Sequence, residues 1–253
     1  TIMGNIHDIF LDSNPVNDIT DKDYQGIDFL INAAKAFSRN IHNGIYIIDY
    51  FKQNFLYVSE NMTYWYGLSS AEIQKMGHNF YLKYIPENEQ KTLLEINKKG
   101  FDLFNEIPIS ERLDYSISYD FHIIHGKELK LINQHYTPIA LTRKGHIWLA
   151  LCIISISTNN SSNCIVTNKS NSTSYYEYSL EKHKWIKKEH AAIKELERNI
   201  LILSFQGYTM DEIADKLCKS TDTIKACKKI LFAKFEVRNI IEALHYAINH
   251  NLL

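Results

Sequence analysis

The segment Gln206-Gly207-Tyr208-Thr209-Met210-Asp211-Glu212-Ile213-Ala214, followed by Ser220-Thr221-Asp222-Thr223-Ile224-Lys225, constrains this chain more than any other. It reads as two helices joined by a tight turn, because each helix has its own start signal. Thr209 caps the first, and Glu212, three residues on, is placed to reach back to the Thr209 N–H in a capping box. Ser220 is the natural cap for the second.

Helical arithmetic separates the faces of that second helix. At about 100° per residue, Ile224, Leu231 and Phe235 fall on one stripe with Cys227 at its edge, and Asp222, Lys225, Ala226, Lys229 and Ala233 fall opposite. The apolar stripe must pack on a domain core, which frees the other face to enter a major groove of double-stranded DNA. A lysine there can donate to guanine O6/N7 or to a phosphate, and an alanine methyl can meet a thymine methyl. Lys225, Ala226 and Lys229 are therefore the candidate base contacts. Thr209, Ser220, Thr221, Thr223 and Lys228 are the candidate phosphate contacts that set register.

Charge is distributed to match. The chain carries 28 Lys+Arg and 29 Asp+Glu, a net of −1. Residues 182–253 hold 13 basic and 9 acidic side chains against 15 and 20 in the remainder, and six lysines stand in 216–234 against the single Asp222. A basic module on an acidic body suits contact with a polyanion at one end.

Across residues 193–253 the series Glu197, Ile200, Leu201, Gly207, Tyr208, Thr209, Glu212, Ile213, Ala214, Leu217, Ser220, Thr223, Ile224, Lys225, Lys234, Val237, Arg238, Asn239, Glu242 and Ala243 resembles the LuxR-type helix-turn-helix of bacterial transcription regulators. The resemblance implies sequence-specific DNA binding, and it aligns Lys225, Ala226 and Lys229 with base-contacting positions. The sequence departs from the pattern twice: Cys227 stands where the family usually has histidine, and Glu236 replaces a glycine expected to end the reading helix. A last helix, expected over 240–251 and capped by Asn239, has apolar residues on more than one face. Ile241, Leu244 and Ile248 on one of them are available to a second copy, so a homodimer is expected.

The other residues read as an α+β domain. Helical spacing over 28–38 is followed by two strands, 44–49 and 54–59. Helices over 60–66, 70–75 and 87–104 come next, then strands 116–124, 129–139 and 147–156. Two strands, several helices and three strands make one antiparallel sheet with helices, followed by an all-α domain. The run from Tyr57 to Ile73 and Tyr84-Ile85-Pro86-Glu87-Asn88 resemble parts of a PAS domain, which implies a sensory or dimerising module with a pocket between helices and sheet. The expected divisions are an N-terminal extension at 1–22, the PAS-like domain at 23–157, a linker with a possible hairpin at 158–192, and the helix-turn-helix at 193–253. Tyr119, His122, His135, Trp148 and Cys152 are the candidate pocket residues for a small-molecule ligand.

Several chemistries find no support. Four scattered cysteines form no disulfide framework. His122 and His125, three apart on a strand, point to opposite faces and do not make a metal pair, so no metal is expected. No cysteine sits in the flavin-adduct motif of light-sensing PAS proteins, one haem-ligating histidine is open among several, and the residues name no cofactor. Glycine-rich phosphate loops, a nucleophile elbow and a convergent acid/base pair are all missing, so an enzyme is not expected. No apolar run approaches the roughly 20 residues that span a membrane, and a cytoplasmic regulator is the expectation. The alternative is an adaptor that binds protein rather than DNA.

Overall fold

β-branched and aromatic residues dominate Gly44–Asp49 (β1), and all six of its residues are buried, so both faces of this strand must be covered. The computed structural model describes residues 13–157, 162, 164–250 and 252–253, and it shows what covers them. On one face lies Ile27–Asn40 (α1), packed with Ile45, Ile47, Tyr57 and Trp148. On the other lie Met62–Tyr66 (α2), Ser70–Met76 (α3), Asn79–Tyr84 (α4) and Glu87–Glu106 (α5), around Tyr46, Ile48, Phe55 and Phe80. Gly44 starts β1 where a Cβ would fall 2.5 Å from the Met62 sulfur, so only glycine lets α2 come this close.

The strands continue as Asn54–Val58 (β2), Tyr115–His125 (β3), Glu128–Leu141 (β4) and Ile147–Ile156 (β5), giving the expected order of two strands, helices and three strands. Neighbours pair antiparallel, with β1 central to β2 and β5. The α5 helix begins just after Pro86 and buries Leu93, Ile96, Phe101 and Phe104 along the sheet.

Residues 165–189, within the stretch expected as a linker with a possible hairpin, form strands. Ile165–Lys169 (β6) pairs with β3, from Tyr115↔Lys169 to Tyr119↔Ile165, and Ser174–Ser179 (β7) and Lys184–Glu189 (β8) extend the sheet to the order β2-β1-β5-β4-β3-β6-β7-β8. The hairpin that was open in the sequence is thus part of the sheet. It is also tied to α5: Trp185 Nε1 donates to the Lys99 carbonyl at 2.8 Å, and Glu95 accepts from the Tyr178 hydroxyl at 2.5 Å. At the other end, residues 1–12 of the expected extension lie outside the described residues. Asn14 bonds both the N–H and the C=O of Ile147, and Ile19 is buried, so this stretch is part of the fold.

The chain divides between Lys188 and Glu189. The second unit contains Glu195–Phe205 (α6), Met210–Lys216 (α7), Thr221–Phe235 (α8) and Ile240–Asn249 (α9). Ile200, Ile213, Ala214 and Ile224 form one cluster, and Leu201, Leu231, Phe235, Ala243 and Ala247 another. No helix among the described residues is long and apolar enough to cross a membrane.

Candidate nucleic-acid interface and an apolar cavity

The three caps of the second unit form as their sequences direct. Thr209 N donates to Glu212 Oε2 at 2.8 Å and its Oγ1 accepts from Glu212 N at 3.4 Å; Ser220 Oγ accepts from Thr223 N at 3.1 Å; Asn239 Oδ1 accepts from Glu242 N at 2.9 Å. Donation from the Thr209 N–H and from its hydroxyl holds the Glu212 carboxyl below the usual range. Capping fixes where α8 starts, and its core side then fixes its rotation. Ile224, Leu231 and Phe235 are buried, while Lys225, Ala226, Lys229 and Ala233 are exposed. Lys225 Nζ lies 3.4 Å from Asp222, an exposed pair that leaves the ammonium open to other partners.

A nearly buried carboxylate locks the back of this helix. Glu197 on α6 is only 4% exposed and takes both Lys234 Nζ contacts at 2.8 Å, with the Lys194 N–H as a further donor. Burial works to raise the Glu197 pKa. The Lys194 N–H and the Lys234 ammonium outweigh it and hold the group charged, below the ordinary glutamate range. At the far end of α8, Glu236 adopts φ 57° and ψ 38°, the left-handed conformation that a glycine would take without strain.

The expected phosphate contacts are placed less simply. Thr209 Oγ1 donates to Glu212 at 2.8 Å, Thr221 Oγ1 donates to Asp211 at 3.1 Å, and the Ser220 and Thr223 hydroxyls share one bond at 2.8 Å. Each hydroxyl has one proton, so three of these four protons are spent on the helix ends and one of the Ser220/Thr223 pair is left to donate elsewhere. Lys228 is partly covered, and burial pushes its pKa down. One surface residue escaped the sequence reading: Ile230, 53% exposed and one turn beyond Ala226.

In the sheet unit the candidate pocket residues do not gather. Register puts Tyr119 and Cys152 in the inner core with Gln134, whose amide donates to Tyr119 Oη at 2.6 Å and whose carbonyl accepts from Tyr46 Oη at 2.6 Å. Tyr81 Oη in turn donates to Tyr46 at 2.8 Å. Burial raises the pKa of all these tyrosines and of the Cys152 thiol, so none supplies an anion. His122 bonds Glu89 at 2.6 Å. Trp148 packs with Tyr24 in the outer cluster, and burial lowers the pKa of His135.

An apolar cavity of about 50 Å³ does exist, between the second half of α5 and β3, β4 and β6. Ile96, Gly100, Phe101, Phe104, Ile107, Ile117, Pro138 and Ile147 form most of its wall. Tyr136 is also in that wall. Its hydroxyl is buried beside that of Tyr50, with which it interacts, and burial first and Tyr50 second raise its pKa. Of the five residues expected to line a pocket, none lines this cavity, and Tyr119 alone reaches a smaller one beside Glu89 and Asp120.

Comparison with known proteins gives the two units different weights. No curated relative matches the sequence. Solved structures resemble it at low similarity: a phage VqmA–DPO complex (16% identity, 89% of each chain, TM-score 0.31), the Vibrio cholerae VqmA dimer (13%, 85% of each chain, 0.33), and the PAS domain of a protein from Colwellia psychrerythraea (14%, 51% of this chain and 98% of the other, 0.38). Similarities this small carry neither ligand nor partner across. The family model described as bacterial regulatory proteins, luxR family, matches residues 195–247, which span α6 to α9. That segment is therefore a helix-turn-helix domain of the luxR family of bacterial regulatory proteins.

Proposed function

We propose that this protein is a sequence-specific DNA-binding transcription regulator, acting in the cytoplasm as a homodimer, with the PAS-like sheet unit as its sensor. One observation carries the reading: a doubly capped helix pair holds α8 so that its core side is fully buried while Lys225, Ala226 and Lys229 face solvent. The family resemblance aligns this face with base-contacting positions, and in this reading Lys228 and the capped helix ends approach phosphates.

The last helix supports pairing. Its Ala243 and Ala247 are fully buried against the domain, yet Ile241 is 62% and Ile248 48% exposed on the opposite side. Two copies joined there would set the spacing of two reading helices. For the sensor, the cavity beside Tyr136 suits a small, mainly apolar ligand.

The test is selection of bound duplexes from random DNA by the full chain, followed by affinity against salt. Enrichment of one sequence, with log K falling by about 0.9 per log unit of salt for each phosphate neutralised, is the expected result. No enrichment, or a slope of zero, overturns the reading.

A further inference from the structure

The exposed side of α8 is not uniform. Ala226, Ile230 and Ala233 lie along one flank and Lys225 and Lys229 along the other, and all five are exposed. A single exposed isoleucine is ordinary. Here it sits between two alanines, four residues from one and three from the other, and so completes a continuous apolar strip. At 1.5 Å per residue the strip from Ala226 to Ala233 runs about 10 Å, close to three base-pair steps of about 3.4 Å. Lysines beside it select a polyanion over a protein partner. Within a major groove, the apolar groups that such a strip can meet are the thymine C5-methyls.

We propose that Ile230, together with Ala226, reads thymine methyl groups, so that α8 has a cationic flank for guanine or phosphate and an apolar flank for thymine. This rests on the regulator reading above and adds a specificity residue to it. Ile230 is exposed and outside the domain core, so substituting it leaves the fold in place.

The experiment takes the best duplex selected from random DNA by the full chain and replaces its thymines one at a time by deoxyuridine, which removes the methyl alone. Dissociation constants are measured for the native chain, Ile230→Ala and Ala226→Gly. At one or more thymines the native chain should lose about fourfold, the cost of one methyl-sized apolar contact. That penalty should vanish in Ile230→Ala, while deoxyuridine at other thymines acts equally on both proteins. Two results overturn the inference: no thymine sensitive to methyl loss, or a penalty that survives Ile230→Ala in full at every sensitive thymine. Both leave DNA binding itself intact. Failure to select any duplex removes the regulator reading and this inference with it.

Discussion

The two units keep their polar chemistry in opposite places. In the helix-turn-helix unit, Lys225 and Lys229 stand on an exposed face, and the nearly buried Glu197 is matched by Lys234. In the sheet unit, the polar groups of greatest consequence are inside: Tyr81, Tyr46, Gln134 and Tyr119 form a buried hydrogen-bonded chain, and Tyr136 fronts a cavity. A surface built on capped helices is specified by neighbours three or four residues apart. An interior built on an eight-stranded sheet depends on partners as distant in sequence as Tyr46 and Gln134, 88 residues apart.

This contrast predicts that damage stays within the unit that receives it. The largest effect is expected for Lys234→Ala, which strands a nearly buried carboxylate and should cost the helix-turn-helix unit about 3–5 kcal/mol. Thermal unfolding should then show one transition lowered and the other unmoved; a common shift would mean the units are not independent. The same carboxylate sets an acid limit. Because its folded pKa is depressed, its contribution is complete above the unfolded carboxyl value, near 4.5, and is lost as pH falls through the lower folded value.

Gln134→Leu should be the counterpart in the sheet unit. It removes the acceptor of Tyr46 and the donor to Tyr119, at a cost of roughly 1–3 kcal/mol for each group left unpaired, and it should spare DNA binding. Denaturant titration followed by tyrosine and tryptophan signals reads that loss. Thr209→Ala is smaller, about 1 kcal/mol, through the lost cap. Smallest, and opposite in sign, is Glu236→Gly, expected to stabilise the unit by about 0.5–1 kcal/mol because glycine accepts the left-handed conformation at φ 57°. A destabilised Glu236→Gly would show that the Glu236 side chain contributes more than its backbone strain costs.

The same distinction explains what was legible. Thr209 with Glu212, Ser220 with Thr223 and Asn239 with Glu242 are caps written within four residues, and period-3.6 burial of Ile224, Leu231 and Phe235 followed from them. The expectation that Glu236 stands in a glycine position agrees with its positive φ. The sheet was readable as element order and not as interior. Irregular pairing between Pro138 and Leu141 meets Ile147 and Leu149, and Trp148 packs outward in the cluster with α1. Alternation counted along a single strand does not show that. Ile165-Val166-Thr167 is too short to announce a strand between polar tracts. Its partner, β3, lies some fifty residues earlier. Ile230 was missed for a simpler reason, since an isoleucine beside a core stripe looks like part of it until burial separates the two.

Whether the exposed lysines of α8 read bases is decided by the affinity of the full chain and of its Lys225→Ala and Lys229→Ala variants for the selected duplex and for a scrambled one of equal length. Base reading should cost each variant about 1–3 kcal/mol on the selected duplex and far less on the scrambled one, so that preference collapses. Equal losses on both duplexes, with preference intact, would make these lysines phosphate contacts and contradict the claim.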